Sequence, residues 1–170
     1  MNPRVTLATL AAVLTLSTAH AQTCNPNITR SAPDSRYQLV VGSGGSEVLY
    51  TQTKLIWQRC SLGQTWNGTT CTGTATSHTW ADALAKAKAV GTGYRLPNIK
   101  ELQSLVEEAC YNGAINESFF PATSISGYYW SASPNAYDGG IAWYVYFSYG
   151  VTGFNNKGNY LHVRAVRAGQ

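Results

Sequence analysis

The side chains that could act as acid, base, nucleophile or metal ligand are few and far apart. Outside the first twenty-odd residues there are two histidines, His78 and His162. Neither has a Cys or carboxylate at triad or ligand spacing, so neither is expected to do acid–base or metal chemistry. Glu107 and Glu108 are the one adjacent carboxylate pair. Neighbours on a helix point roughly 100° apart, so they form no dyad, and a solvated helical face is expected. The cysteines are Cys24, Cys60, Cys71 and Cys110. An even count in an exported chain implies disulfides. Cys60 and Cys71 flank the turn-rich "SLGQTWNGTT" and are expected to bridge locally. Cys24 would then tie the amino-terminal arm to Cys110, at the end of a predicted helix. The spacing does not suit zinc, and four paired cysteines leave no thiol nucleophile. There is no phosphate-binding Gly loop, no Gly-x-Ser-x-Gly and no HExxH. An enzyme is not expected, nor a cofactor or a metal.

The chain does offer a contact surface. In "WYVYFSYGVTGFNNKGNYLHV", Trp143, Val145 and Phe147 alternate with Tyr144, Tyr146 and Ser148. The first set, with Ile141, is expected to be core and the second to face outward. Tyr149, Phe154, Asn155, Asn156, Asn159, Tyr160 and His162 fall in or beside turns, and Lys157 is the one formal charge of the segment. Tyr with Ser, Gly and Asn supplies rigid amphipathic area plus adaptable hydrogen bonds. These residues form the candidate ligand-binding surface, for a glycan or a protein. Lys157, His162 and Arg164 could add weak attraction for an anionic polysaccharide. A second copy of the chain is a further candidate partner. From residue 122 onward Asp138 is the one acidic side chain, whereas calcium wants six or more oxygens.

Several elements must position this surface. "MNPR" followed by an apolar run and "AHA" reads as a secretory signal peptide over residues 1–21. It implies a secreted, periplasmic or envelope location, with no transmembrane segment in the remainder. Residues 22–35 read as an extended arm, and residues 36–170 as one binding domain. "YQLVV" and "EVLYTQTKLIWQR" read as strands. "HTWADALAKAKAV" is helical, with Thr79 as N-cap and Asp82 as box partner; Trp80, Leu84 and Ala87 are its buried spacing. "RLPNIKELQSLVEEAC" holds a second helix, capped by Asn98 with Glu101. Its stripe is Ile99, Leu102, Leu105 or Val106, and Ala109. "YYWSAS", "IAWYVYFSY" and "YLHVRAVR" close the chain as strands, with Gly150 at a turn. This order predicts an α+β domain with two helices packed on antiparallel sheets. The formal charge is +4 and 12% of residues are charged. Arg4 would leave with the leader. Such a mild balance does not suit nucleic acid.

Beyond these patterns, "TKLIWQRC", "GYRLPNIKELQSLVEEACYNGAINESFFP", "YYWSASP", "AWYVYF" and "VRAVR" resemble one family, the Lcl C-terminal domain. The resemblance spans roughly residues 36 to 168. It implies a C-type-lectin-like fold, related to the formylglycine-generating-enzyme branch. It also implies an adhesin-like role, with glycosaminoglycan-like polysaccharide binding in the collagen-like adhesin that gave the family its name. Two residues depart from the pattern. Tyr94 stands where Trp is usual, and Lys54 where Gly is usual. Lectin-type calcium is not implied, since Ser133-Pro134-Asn135 replaces Glu-Pro-Asn and no Trp-Asn-Asp follows. The late Cys pair of the enzyme branch is absent as well. An enzyme of that branch, a cell-wall hydrolase and a structural envelope module stay open as alternatives. Some lectin-like proteins of this kind are diversified by retroelements that mutate adenines in Asn-type codons. Between Ser131 and Val163 only Trp143 and Lys157 lie outside the residue set such changes can yield, as expected for a diversified surface on fixed anchors.

Overall fold

The computed structural model describes residues 21–169. The predicted leader lies outside the described residues except for its last position. Among the described residues no helix is long and apolar enough to cross a membrane.

The amino-terminal arm is stitched down rather than loose. β1 (Thr23–Cys24) pairs with β8 (Cys110–Tyr111), and the Cys24–Cys110 disulfide closes that ladder. β2 (Tyr37–Leu39), β3 (Glu47–Tyr50) and β4 (Leu55–Gln58) follow. The expected "EVLYTQTKLIWQR" strand is thus a hairpin, turning at Lys54. Lys54 has φ 58°, the left-handed region that favours Gly. The position at which the family usually has Gly therefore still demands a Gly backbone. β5 (Thr65–Trp66) and β6 (Cys71–Thr72) form a small ladder beside the Cys60–Cys71 bridge. Both expected disulfides are present.

β7 (Ser77–His78) leads into α1 (Trp80–Ala89). The Asp82 N–H donates to the Thr79 hydroxyl at 3.3 Å, but only this half of the capping box forms; Asp is one methylene shorter than Glu. Ala83 and Ala87 are the fully buried positions of α1, while Trp80 and Leu84 are half-buried.

α2 is short, Ile99–Gln103. Its capping box is complete: Glu101 N–H donates to Asn98 Oδ1 at 2.9 Å, and Asn98 N–H donates to Glu101 Oε2 at 2.8 Å. Leu105, Val106 and Ala109 are buried as expected, but in turns beyond the helix. Glu107 lies there too, and corrects the expectation of a solvated face. It is 0% exposed and accepts from the N–H groups of Ser31 (3.0 Å), Ala32 (3.0 Å) and Ala109 (3.1 Å). This buried carboxylate pins the arm to the domain.

β9 (Tyr128–Pro134), β10 (Ile141–Tyr146) and β11 (Val151–Asn156) come next, then β12 (Leu161–His162) and β13 (Val166–Ala168). The expected final strand is therefore two pieces serving different sheets. One sheet runs β11-β10-β9-β12-β7 and the other β13-β4-β3-β2. All pairings are antiparallel except the β12–β9 contact. The larger core lies between the sheets and α2, around Tyr37, Val48, Trp57, Leu102, Phe120, Tyr129, Val145 and Phe147. The smaller core lies under α1, around Ala83, Ala87, Leu96, Trp130, Ala142 and Val163. The fold class is α+β, mostly sheet, with two short helices.

Candidate ligand-binding surface

The register of the β9–β10–β11 meander decides what shares a face. Directly paired residues of an antiparallel ladder point the same way. Tyr146 pairs with Tyr128, and Tyr144 with Trp130 on one side and Gly153 on the other. Ile141 pairs with Asn156 and Trp143 with Phe154. The expected single surface is therefore split between two faces of the sheet.

The first face carries a tyrosine ladder. Tyr128 and Tyr144 have ring centroids 4.6 Å apart, Tyr128 and Tyr146 4.8 Å, and Tyr146 and Tyr149 5.7 Å. Tyr149 is 60% exposed. Partial burial, with Tyr128 alongside, pushes the Tyr144 hydroxyl above its ordinary pKa. The ladder lies flat because Gly153 offers no side chain: a Cβ there would sit 2.6 Å from Tyr144 Oη. Sequence reasoning missed Tyr128. Its signal was the doubled Tyr of "YYW", but only the register shows that it joins the others.

The second face carries Ile141, Trp143, Phe154 and Asn156. Trp143 and Ile141 were expected in the core and are half-buried. Trp143 meets Phe154 edge-on at 5.8 Å and borders α2 at Ile99, Lys100 and Gln103. Here α2 covers the sheet only in part, because it ends after five residues.

Other expected contributors are already committed. Ser148 is buried and leaves the set: the chain at 147–148 packs back on residues 113–114, where Ala114 N–H donates to Phe147 O at 2.6 Å. Arg164 is 0% exposed and cannot meet a polysaccharide. Its guanidinium donates to Gln58 O (3.1 Å), Arg59 O, Ser61 Oγ (3.3 Å) and Thr123 Oγ1 (2.8 Å). It also stands 4.8 Å from the Phe120 ring centroid. Burial pushes its pKa down, with Tyr129 acting the other way. It is an interior brace with no carboxylate partner among the described residues. Lys157 Nζ donates to Gly139 O at 2.6 Å and lies 4.3 Å from the Trp80 ring centroid. Asn155 Oδ1 accepts from Asn159 Nδ2 at 2.6 Å, and Asn156 Oδ1 from Gly158 N–H at 2.8 Å. These amides shape the turn first. Tyr160 is exposed. His162 is half-buried, hydrogen-bonded to Thr76 O at 3.2 Å, with its ring 5.3 Å from Tyr129. His78 bonds Thr76 Oγ1 at 2.8 Å; burial lowers its pKa, and Lys86 adds to this.

Diversification of the whole segment would strike the interior. Ser131, Ala142, Val145, Phe147 and Val163 are all fully buried. Only the outward positions have room to vary. Among the described residues, no three His, Cys, Asp or Glu side chains gather at metal-binding range.

Fold and surface together define a disulfide-stapled α+β domain with exposed aromatic faces on its outer strands. The Lcl C-terminal domain family model matches residues 46–167, and the chain belongs to this family. No curated protein matches it.

Proposed function

We propose that the protein is a secreted or envelope-associated adhesin-like module of C-type-lectin-like fold. It recognises a glycan or protein ligand through the outer face of β9–β10–β11, and turns over no substrate. The observation that carries this reading is the ladder of Tyr144, Tyr128, Tyr146 and Tyr149, in which Tyr128 and Tyr149 are exposed and Tyr144 and Tyr146 half-buried. Adjacent rings whose outermost members stay exposed, backed by half-buried ones, give contact area at low entropic cost. Contiguous exposed apolar patches mark interaction sites. Family membership supports the adhesin-like role, and two disulfides suit an oxidising compartment. Recognition is read as free of lectin-type calcium, since among the described residues no three His, Cys, Asp or Glu side chains gather at metal-binding range. Arg164 is interior and Lys157 engaged, so neither is free for a polyanion.

The test is a glycan and glycosaminoglycan array probed with the oxidised chain, with calcium and with chelator. A Tyr128→Ala/Tyr146→Ala/Tyr149→Ala variant is run alongside. The expected result is a hit that survives chelator and disappears in the folded variant. A hit that requires calcium, or a set of hits of which the variant weakens none, overturns the reading.

A further inference from the structure

The loop joining β9 to β10 and the outer end of β11 enclose a cleft of about 530 Å³. Its lining is Asn135, Tyr137, Asp138, Ile141 and Phe154. Ile141 and Phe154 belong to the Trp143 face, so the cleft opens away from the tyrosine ladder. We propose that this cleft is a second, independent site that binds a unit or two of a neutral pyranose glycan.

Its size falls in the range of small-ligand sites, roughly 300–1,000 Å³. Tyr137 is 98% exposed and Phe154 56%, so two aromatic rings flank the opening with little to cover them. A ring presented this way offers its face to the C–H side of a sugar. The polar groups fit the hydroxyls. Asn135 Oδ1 accepts from Tyr137 N–H at 2.8 Å, which leaves the amide Nδ2 to donate. Asp138 Oδ1 accepts from Gly140 N–H at 2.7 Å, which leaves Oδ2 to accept. Among the described residues, neither Nδ2 nor Oδ2 has a protein partner. A donor and an acceptor in one cleft match vicinal hydroxyls, each of which does both.

Charge selects neutral over anionic sugars. Asp138 is the one formally charged residue of the lining. The nearby cation, Lys157, is directed at Gly139 O and the Trp80 ring. A uronate or sulfate would meet like charge. The loop is also braced before any ligand arrives. Lys157 N–H donates to Gly140 O at 2.9 Å, and Asn135 N–H to Ile141 O at 3.1 Å. Little backbone ordering remains to be done on binding.

The test titrates cellotetraose, mannotetraose and chitotetraose, with heparin for comparison, into the oxidised chain in chelator, read by saturation-transfer NMR and calorimetry. At least one neutral probe should bind at millimolar or better, equally at low and physiological salt. Tyr137→Ala should weaken it by about tenfold, a stacking contact's worth, while Tyr137→Phe should retain it. Tyr137 is too exposed for either change to affect folding. Binding to heparin alone, to none of the three, or equally to Tyr137→Ala overturns the proposal. A neutral probe lost only in the Tyr128/Tyr146/Tyr149 variant moves the ligand to the ladder, which sinks this cleft and leaves the earlier reading standing. Loss only in Tyr137→Ala places that probe in the cleft and leaves the ladder reading to its own test.

Discussion

Lys54 and Glu107 show how much a single position can hold. Lys54 occupies φ 58° at the turn between β3 and β4, and its carbonyl accepts from Gly169 N–H at 2.9 Å. A side chain in that region carries strain of about 1 kcal/mol that Gly does not. Lys54→Gly should therefore stabilise the chain, by up to about 1 kcal/mol, less the extra freedom Gly has when unfolded. Denaturant titration checks this; a lower midpoint contradicts it. Glu107 makes the opposite case. Glu107→Gln keeps the shape but replaces one acceptor oxygen with an NH2 facing backbone N–H groups. Leaving buried donors unpaired costs about 1–3 kcal/mol, so the midpoint should fall. The sequence concealed this role. Adjacency to Glu108 suggested a wet face, and nothing local reveals that Ser31 and Ala32 arrive from the arm. Arg164 was hidden likewise, because its acceptors lie on segments around Gln58 and Thr123.

At the scale of elements, local signals proved legible and lengths did not. Both helix starts followed from their caps, Thr79 and Asn98. α2 stopped early because Leu105, Val106 and Ala109 find burial in turns that also bind the arm. Its cap supplies a pH prediction. Partial burial pushes the Glu101 carboxyl up, but the Arg95 guanidinium (2.7 Å) and the Asn98 N–H outweigh this and hold it below its ordinary 4.5. A carboxyl depressed by folding stabilises above its unfolded pKa, and that contribution is lost as pH falls through the folded value. Glu101→Gln should therefore lower stability near neutral pH and flatten its decline on the acid side of 4.5. Parallel pH–stability curves for the two proteins would contradict it. The disulfides were legible from composition and spacing. Their separations are 86 and 11 residues. Chain entropy then makes removal of Cys24–Cys110 cost about 4–5 kcal/mol and of Cys60–Cys71 about 3 kcal/mol. Paired Cys→Ala variants compared by thermal unfolding check the order. Gly150, read from sequence as a turn, has φ 70°, and a Cβ there would lie 2.5 Å from Val106 Cγ1. The turn and the core beneath it thus demand the same residue.

For the whole molecule, the alternation in β10 correctly separated Val145 and Phe147 from Tyr144 and Tyr146. It could not say which strands flank β10, or in what register. That pairing brings Tyr128 to the ladder and sends Phe154 and Asn156 to the other face. In the sequence, Asn135 and Asp138 entered only as departures from a calcium motif, since the cleft they line exists only where β11 returns beside β10. The most direct measurement of the central claim is the affinity for an array-identified ligand in chelator, wild type against the Tyr128→Ala/Tyr146→Ala/Tyr149→Ala variant. Near-UV and far-UV spectra confirm that the variant is folded. The expected loss is more than about tenfold, since several aromatic contacts go together. An unchanged affinity in a folded variant would contradict it, and the tyrosines would then be paving for the sheet rather than a surface for a partner.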